Sequence, residues 1–496
     1  MLPGQGDAEM QVAKRAVAVN QHHDAVTGTA KQHVTDDYAL RLHAGMEASR
    51  KVMAAGLRAD LGTSCDISSH CPFLNISQCA FTESRSSFTV LVYNPQAKEV
   101  STFLRFPVET DHKYSVRDSS GQSVRSQVVP LPDEVLRVPG RASTARFELV
   151  IEAKNLPGLG SKTFSLEKKG DREKAAQKLR VGREGVTLRG GGITLELTSE
   201  GGIKRVTRDR MDIHLHQEFA YYEGAVGDNM RFIDRASGAY IFRPTSENAK
   251  LIGEPQSAHF IKGDLVQEVH QRFNSWISQV IRLYAGRSDL ELEWLVGPLP
   301  LREHNMPGLE VISRYTTDID SGNLFSTDSN GRGMIQRQRD FRETWTLNLT
   351  EPVSSNYYPV VSRMALEEGN SVREDKRQAW VMTDRAEGGS SLQPGQMELM
   401  LHRRLFNDDA FGVGEALNET AFGRGLVVRG VHKLLLCTED CEVTFFLQNL
   451  TSNLVLLKGC QQDRGRGSAY EAGCLLRRLL LESSVSFKLF ERCFTI

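Results

Sequence analysis

The N-terminal part of the chain carries apolar side chains at helical spacing. They occur first at Met10, Ala13 and Val17, and then at steps of four or seven, at Val34, Tyr38, Leu42, Met46, Met53 and Leu57. This pattern predicts two helices within residues 7–61, joined by a short loop over residues 22–28. Thr29 and Gln32 have capping-box spacing, which predicts that the second helix begins near Ala30. So small a helical hairpin cannot bury its apolar stripe alone, so we expect it to pack against a partner.

From residue 86 the apolar positions repeat every two residues, which is typical of strands. Phe88, Val90 and Val92 alternate with polar or small residues, and turn sequences follow at short intervals. Short strands with frequent turns predict a small antiparallel β-sandwich over residues 85–166. Residues 167–178 are charged and nearly free of apolar side chains, so they are predicted to form a linker or an exposed loop.

The strand pattern resumes after this charged segment and continues to about residue 436. No second linker interrupts it, so a single large β-sandwich over residues 179–436 is the economical prediction. The fold class is therefore mainly β with an N-terminal helical segment, residues 1–61. Residues 437–496 hold five of the chain's eight cysteines and fit neither pattern. We interpret them as a divergent tail with no assigned function.

The overall charge excludes some classes of partner. The chain has 61 Lys and Arg residues against 62 Asp and Glu residues, so no basic surface argues for nucleic acid. No apolar run reaches the roughly 20 residues that a membrane-spanning helix needs. We therefore expect neither a nucleic-acid nor a membrane partner. The N-terminus lacks the pattern of a signal peptide.

Other features are typical of a secreted or lumenal protein. N-glycosylation sequons begin at Asn75, Asn348, Asn418 and Asn449. Cys71 and Cys79 flank the first sequon and are predicted to form a local disulfide in an oxidising compartment; two free thiols are the alternative. The lumenal features and the missing signal disagree, and we expect that Met1 is not the natural start of the parent protein.

The loop between the helices contains the sequence Gln21-His22-His23-Asp24-Ala25-Val26-Thr27-Gly28-Thr29. Two imidazoles and a carboxylate on a rigid base suit a metal ligand with a polar neighbour. The alternative is a surface loop whose polar side chains cap helix ends. The whole string resembles the histidine motif of the class II α-mannosidases, glycoside hydrolase family 38. The resemblance implies that His23 binds the catalytic zinc, that Asp24 contacts sugar hydroxyls and that His22 supports the loop.

Two further motifs resemble the substrate-facing β-domain segments of that family. In Ser237-Gly238-Ala239-Tyr240 the resemblance implies that Tyr240 reaches the active site; a tyrosine packed in a sandwich core is the alternative. In the second motif, residues 327–339, the resemblance implies that an arginine contacts substrate hydroxyls, which suits the fixed fork of guanidinium donors. The family has three consecutive basic residues there, but this chain has Gln338 in the middle. We assign Arg337 and keep Arg339 as the alternative.

The resemblance covers residues 12–434 and implies a zinc-dependent retaining α-mannosidase that acts on α-mannosyl groups of N-glycans in glycoprotein catabolism. The spelling of the Tyr240 segment is closer to the lysosomal members. A retaining glycosidase needs two carboxyl groups about 5 Å apart. The family carries both, and three of the four zinc ligands, in an N-terminal α/β domain. We therefore expect this chain to pack against such a domain and to be inactive alone.

A second hypothesis belongs to a different class. The chain could serve as a free-standing, non-catalytic glycan-binding β-sandwich protein that keeps part of a glycan site. An upstream coding sequence with a His-x-Asp motif supports the first hypothesis, and an upstream stop codon supports the second.

Overall fold

The protein is described by a computed structural model that covers residues 5–61, 70–172, 178–209, 211–300, 307–369, 376–438 and 454–456. Backbone contacts divide the chain into two compact units. The first unit contains residues 1–176 and the strand Leu454–Leu456, and the second contains residues 177–441. Strands account for 44% and helices for 15% of the structure, so the predicted fold class is confirmed.

The helices are α1 (Gln5–Val19), α2 (Gln32–Leu61), α3 (Ala80–Glu83) and α4 (Asp133–Leu136). The strands of the small sandwich and its neighbours are β1 (Ser87–Asn94), β2 (Val100–Val108), β3 (His112–Asp118), β4 (Ser126–Pro130), β5 (Phe147–Leu156) and β6 (Gly160–Arg172). Those that follow are β7 (Lys178–Arg180), β8 (Val186–Gly190), β9 (Ile193–Leu197), β10 (Ile203–Arg208), β11 (Met211–Glu223), β12 (Lys250–Leu251), β13 (Ser257–Ile261), β14 (Val266–Arg272), β15 (Ile277–Tyr284), β16 (Leu290–Val296), β17 (Leu309–Thr317), β18 (Leu324–Ser329), β19 (Gly333–Gln338), β20 (Tyr358–Val360), β21 (Arg363–Glu367), β22 (Gln378–Thr383), β23 (Glu387–Ser390), β24 (Gln396–Arg404), β25 (Thr420–Ala421), β26 (Arg424–Gly425), β27 (Val428–Cys437) and β28 (Leu454–Leu456).

The helices α1 and α2 pack through small and apolar side chains, namely Ala13, Ala16 and Val17 against Leu42 and Met46. The helix α2 begins at Gln32, within two residues of the predicted start near Ala30. The hydroxyl of Thr29 donates to the Asp24 carboxylate at 2.9 Å and thus serves the loop.

In the first unit, a four-stranded sheet of order β28-β1-β6-β3 faces a three-stranded sheet of order β2-β5-β4. Side chains of both sheets share one core, including Phe88, Phe106, Leu149, Phe164 and Leu166. All pairings in these sheets are antiparallel.

Two boundaries differ from the sequence-based predictions. The segment 167–172 was predicted to belong to a linker, but it continues β6 because its backbone pairs with β3, where His112 is opposite Arg172. Residues Leu454–Leu456, predicted to lie in a separate tail, form β28 and pair with Val90–Val92 of β1. The remaining predictions for residues 439–453 and 457–496, including the sequon at Asn449, lie outside the described residues.

In the second unit, one described sheet has the order β20-β23-β24-β17-β11-β10-β9-β8, with β12 paired to β11. The other has the order β19-β18-β21-β22-β27-β16-β15-β14-β13-β7. The two sheets share a core whose members include Leu195, Ile213 and Tyr315 from the first sheet and Ile281, Leu292 and Leu434 from the second. Within the described residues, none of the helices has the length and apolar character needed to cross a membrane.

Candidate active site

The loop between α1 and α2 is closed by its own hydrogen bonds. The side chain of Asn20 is buried and donates to the Ala16 carbonyl at 2.9 Å, which satisfies an acceptor at the end of α1. The backbone N–H groups of Ala25 and Val26 donate to the His22 carbonyl at 2.9 and 3.2 Å. Gly28 has a φ of 69°, a conformation that glycine adopts without steric cost. The turn therefore presents residues 22–24 on a fixed base.

The structure brings His22, His23 and Asp24 together. The Nε2 atoms of His22 and His23 lie 3.3 and 3.6 Å from Oδ2 of Asp24. The two imidazole rings are 4.2 Å apart between centroids. His23 is the most open of the three, with 82% of its side chain exposed. Oδ1 of Asp24 accepts the Thr29 hydroxyl, so Oδ2 is directed toward the imidazoles.

These three side chains fit a zinc ion by their chemistry. One ligand atom from each lies within 4.8 Å of the other two, and no other group of three such residues occurs in the part of the chain that the structure describes. Neutral imidazole nitrogen and carboxylate oxygen are ordinary zinc ligands.

His214 and His216 form no comparable group. Both side chains are exposed on β11, and Nε2 of His216 is 3.4 Å from Oε2 of Glu218. The hydrogen bond to Glu218 raises the pKa of His216. This pairing is that of a surface ion pair.

Tyr240 lies in an irregular segment of the second unit, between β11 and β12. Its side chain is 45% exposed, so the alternative of a fully buried core tyrosine does not apply. Its backbone N–H donates to Oδ2 of Asp409 at 2.7 Å. Its ring centroid is 6.1 Å from that of Phe411, which is equally exposed. The ring of Tyr240 is therefore partly exposed on this face of the unit.

Arg337 and Arg339 both follow the hairpin between β18 and β19 but differ in their contacts. Nε of Arg337 donates to the Thr327 hydroxyl at 3.0 Å, and its guanidinium lies 4.3 Å from the ring centroid of Tyr358. Within the described residues, its terminal amino groups make no hydrogen bond. Arg339 instead donates from a terminal amino group to the Leu392 carbonyl at 2.8 Å. The geometry favours Arg337 over Arg339 as the arginine whose terminal N–H donors can bind a substrate.

A cleft of about 410 Å³ lies in the same unit, beside the segment before Tyr240. It is lined by Ala225, Gly227, Asp228, Ile233, Asp234, Arg235 and Arg243. The arginines of this cleft stabilise the local backbone. Arg243 donates to the carbonyls of Ile233 and Arg235 at 2.8 and 2.9 Å. Arg235 in turn donates to the Ala410 carbonyl at 2.7 Å.

Buried charged residues beneath Tyr240 were not identified as functional from the sequence. Asp409 and Glu310 have no exposed surface, and Arg403 pairs with Glu310 at 2.6 Å. Burial raises the pKa of Glu310, and the neighbouring Arg403 partly opposes this effect. The sequence feature that could have indicated them is the pair of acidic side chains in Asn407-Asp408-Asp409.

The disulfide between Cys71 and Cys79 is present, with 5.1 Å between the Cα atoms. Asn75 is exposed on the 3₁₀ turn Leu74–Ile76 that this disulfide encloses. Asn348 is also exposed. Asn418 differs, because its side-chain oxygen accepts a hydrogen bond from Nε of Arg404 at 2.7 Å.

The residues of the candidate site are thus distributed over both units. His22, His23 and Asp24 form one cluster in the first unit. Tyr240 and Arg337 belong to the second unit, where the first lies in a loop and the second in β19.

Comparison with known proteins identifies this architecture. Residues 4–59 match the alpha mannosidase middle domain, and residues 188–411 match the glycosyl hydrolases family 38 C-terminal domain. A helical hairpin followed by β-sandwiches with these matches defines part of a glycosidase. The chain belongs to glycoside hydrolase family 38, the family of the class II α-mannosidases.

Several relatives are lysosomal enzymes. The chain is 40% identical to lysosomal alpha-mannosidase of Felis catus over 440 residues, which cover 87% of this chain and 41% of the relative. It is 38% identical to the enzyme of the same name from Homo sapiens over 476 residues, covering 94% of this chain and 45% of the relative. The chain therefore spans less than half the length of these relatives.

A solved structure shares the fold. The alpha-mannosidase from Enterococcus faecalis V583 superposes with a TM-score of 0.52 at 12% sequence identity, covering 87% of this chain and 51% of that one.

Proposed function

We propose that this chain supplies the middle and C-terminal parts of a zinc-dependent, retaining α-mannosidase that acts in glycoprotein N-glycan catabolism. The observation that carries the proposal is the cluster of His22, His23 and Asp24, held on a loop closed by hydrogen bonds. Support also comes from identities of 38–40% to the lysosomal relatives, and we place the parent protein in the lysosome for the same reason.

Each residue has a distinct role in this proposal. His23, the most exposed imidazole of the cluster, is the zinc ligand. His22 and Thr29 orient Asp24, whose carboxylate accepts hydrogen bonds from sugar hydroxyls. Tyr240 donates a hydrogen bond from its phenol to the substrate, and Arg337 directs its terminal amino groups to sugar hydroxyls. Bound zinc would supply Lewis-acid polarisation and a fixed point for orienting the sugar.

The isolated chain is proposed to be inactive. A retaining mechanism requires a nucleophile and an acid about 5 Å apart. The family resemblance assigns both carboxylic acids to an N-terminal α/β domain, against which this chain would pack. The purified chain should therefore not hydrolyse a chromogenic α-mannoside. Zinc-dependent turnover by the chain alone would contradict the proposal.

The role of His23 can be tested in a hybrid enzyme, in which the N-terminal region of the feline relative precedes this chain. His23→Ala should lose zinc and activity together. The matched control is His33→Ala, which removes an exposed histidine from α2 and should retain both. Metal analysis of the purified variants decides the assignment. Full zinc occupancy in His23→Ala would exclude this ligand, and His22 would then be the next residue to test.

The sugar-contacting residues should behave differently. Asp24→Ala, Tyr240→Phe and Arg337→Ala should retain zinc but lower kcat/KM, because each removes a contact to the transition state. Arg339→Ala is the control for Arg337, since Arg339 already donates to a backbone carbonyl. A loss in Arg339→Ala without a loss in Arg337→Ala would exchange the two assignments.

A non-catalytic glycan-binding function is the second candidate. It is favoured by the exposed rings of Tyr240 and Phe411, which offer an apolar surface to a sugar. Glycan-array binding by the chain, together with an inactive hybrid, would support this candidate over the first.

A further inference from the structure

Tyr240 lies in a segment between β11 and β12 that is not part of a strand, so strand pairing does not fix its direction. The segment Ser237–Ile241 is a tight turn, in which the N–H of Gly238 donates to the Ile241 carbonyl at 2.9 Å. The turn presses closely on Asp409, because a Cβ added at Gly238 would lie 2.8 Å from Cβ of that residue. The backbone direction at Tyr240 therefore depends on contacts beneath the turn.

The first such contact is the carboxylate of Asp409. This side chain has no exposed surface, and its Oδ2 accepts the N–H groups of both Tyr240 and Ile241, at 2.7 and 2.9 Å. Hydrogen bonds to an ionised acceptor are stronger than those between neutral groups. Arg235 holds the backbone of Asp409 through a hydrogen bond to its carbonyl at 3.2 Å. The acceptor is thus itself fixed.

The second contact comes from the sheet. Glu310 on β17 and Arg403 on β24 are opposite each other in the ladder and form a buried ion pair. One terminal amino group of Arg403 also donates to the carbonyls of Gly238 and Ile241 at 2.9 and 2.8 Å. The Ser237 hydroxyl donates to Oε1 of Glu310 at 3.0 Å. This pair therefore links the turn to the rigid sheet.

We infer that Asp409 is a positioning residue that sets the direction of the Tyr240 phenol, with the Glu310–Arg403 pair fixing the turn below it. The inference rests on the proposed function, in which Tyr240 contacts the substrate. Two N–H groups and two carbonyls of the turn are held by buried charged side chains, so the backbone that carries the Tyr240 side chain has little freedom to change direction. Such rigid support of a residue that contacts substrate preserves the geometry needed for catalysis.

The orientation can be measured in the full chain without catalysis. Tyr240 is replaced by 3-fluorotyrosine, and its ¹⁹F resonance is recorded. Asp409→Ala should move the resonance toward that of the unfolded chain and broaden it. Asp408→Ala is the matched control, because the Asp408 carboxylate accepts the N–H groups of Ala410 and Gly414 instead, and it should leave the resonance unchanged.

A conservative variant guards against simple misfolding. Asp409→Asn retains a side-chain oxygen acceptor of the same length and should restore most of the folded resonance position. Thermal melting of each variant shows whether the unit remains folded. A folded Asp409→Ala chain with the unchanged resonance would overturn the inference. The inference would also be overturned if the Asp409→Asn chain remained folded but lost the ¹⁹F resonance position of the folded wild-type chain. An oxygen acceptor at residue 409 would then not be what orients the phenol.

Kinetics of the hybrid enzyme separate this inference from the proposed function. Asp409→Ala should lower kcat/KM, and combining it with Tyr240→Phe should cost less than the product of the two separate losses, because both act through one phenol. Fully multiplicative losses would contradict the inference. If Tyr240→Phe alone leaves kcat/KM unchanged, the proposed role of Tyr240 is wrong, and the ¹⁹F experiment still decides whether Asp409 orients it.

Discussion

Acidification is expected to destabilise the second unit through His402, a residue of β24. The side chain is partly buried, and its Nε2 atom has no hydrogen-bond partner among the described residues. The pKa of His402 is lowered from the ordinary 6.5 to about 4, mainly by burial and also by the neighbouring Arg404, while a hydrogen bond to the backbone of Leu426 works in the opposite direction. The folded protein therefore keeps this imidazole neutral at a pH where the unfolded chain protonates it.

The sign and size of the effect follow from proton linkage. Between the two pKa values the unfolded state binds more protons, so the free energy of unfolding rises with pH in this window. The contribution of His402 to the free energy of unfolding is fully present above a pH of 6.5, falls as the pH drops, and levels off below about 4. At 1.36 kcal/mol per pH unit the whole gap corresponds to about 3 kcal/mol, of which about 2 kcal/mol is lost at about pH 5.

Denaturant unfolding measured at about pH 7.5 and about pH 5 tests this value. All four tryptophans, Trp276, Trp294, Trp345 and Trp380, belong to the second unit, so their fluorescence reports on its unfolding. Other groups also titrate, so the informative quantity is the difference between the wild-type chain and His402→Asn.

His402→Asn should remove about 2 kcal/mol of the pH dependence, because asparagine does not titrate. His214→Asn is the matched control, since His214 is exposed on β11, and it should leave the dependence as it is. An unchanged pH dependence in His402→Asn would refute the reasoning, whatever the absolute stability of that variant.

Two further predictions concern packing and the disulfide. Gly430→Ala should lower the free energy of unfolding by about 1–3 kcal/mol because the new Cβ would overlap the ring of Trp294; Gly333→Ala, where a Cβ meets nothing within 4 Å, should change it little in the same denaturant titration. Replacing Cys71 and Cys79 by serine should lower the stability of the first unit by about 2–3 kcal/mol, the value for so short a loop, as measured by calorimetry. Peptide mapping of the non-reduced protein that found both thiols free would contradict the second prediction.

Local pattern was sufficient for much of the fold. The strand pattern predicted over residues 179–436 contains β14, β15 and β16, because strict alternation and apolar runs report directly which side chains face the core. The helical hairpin was equally readable from steps of four and seven. The segment 167–172 was misjudged, because its charged side chains are compatible with a strand whose backbone pairs with β3. Pairing with a strand that is distant in sequence cannot be detected from the amino-acid composition of the segment itself.

The candidate site divides in the same way. The sequence by itself determined His22, His23 and Asp24, since consecutive residues on one short loop must lie close together whatever the rest of the chain does. Only the tertiary structure decided that Asp409, Glu310 and Arg403 support Tyr240, because between 73 and 169 residues separate them from the turn residues that they bind, and β17 and β24 bring them there. Contacts of that range depend on sheet order, which alternation within one strand does not encode.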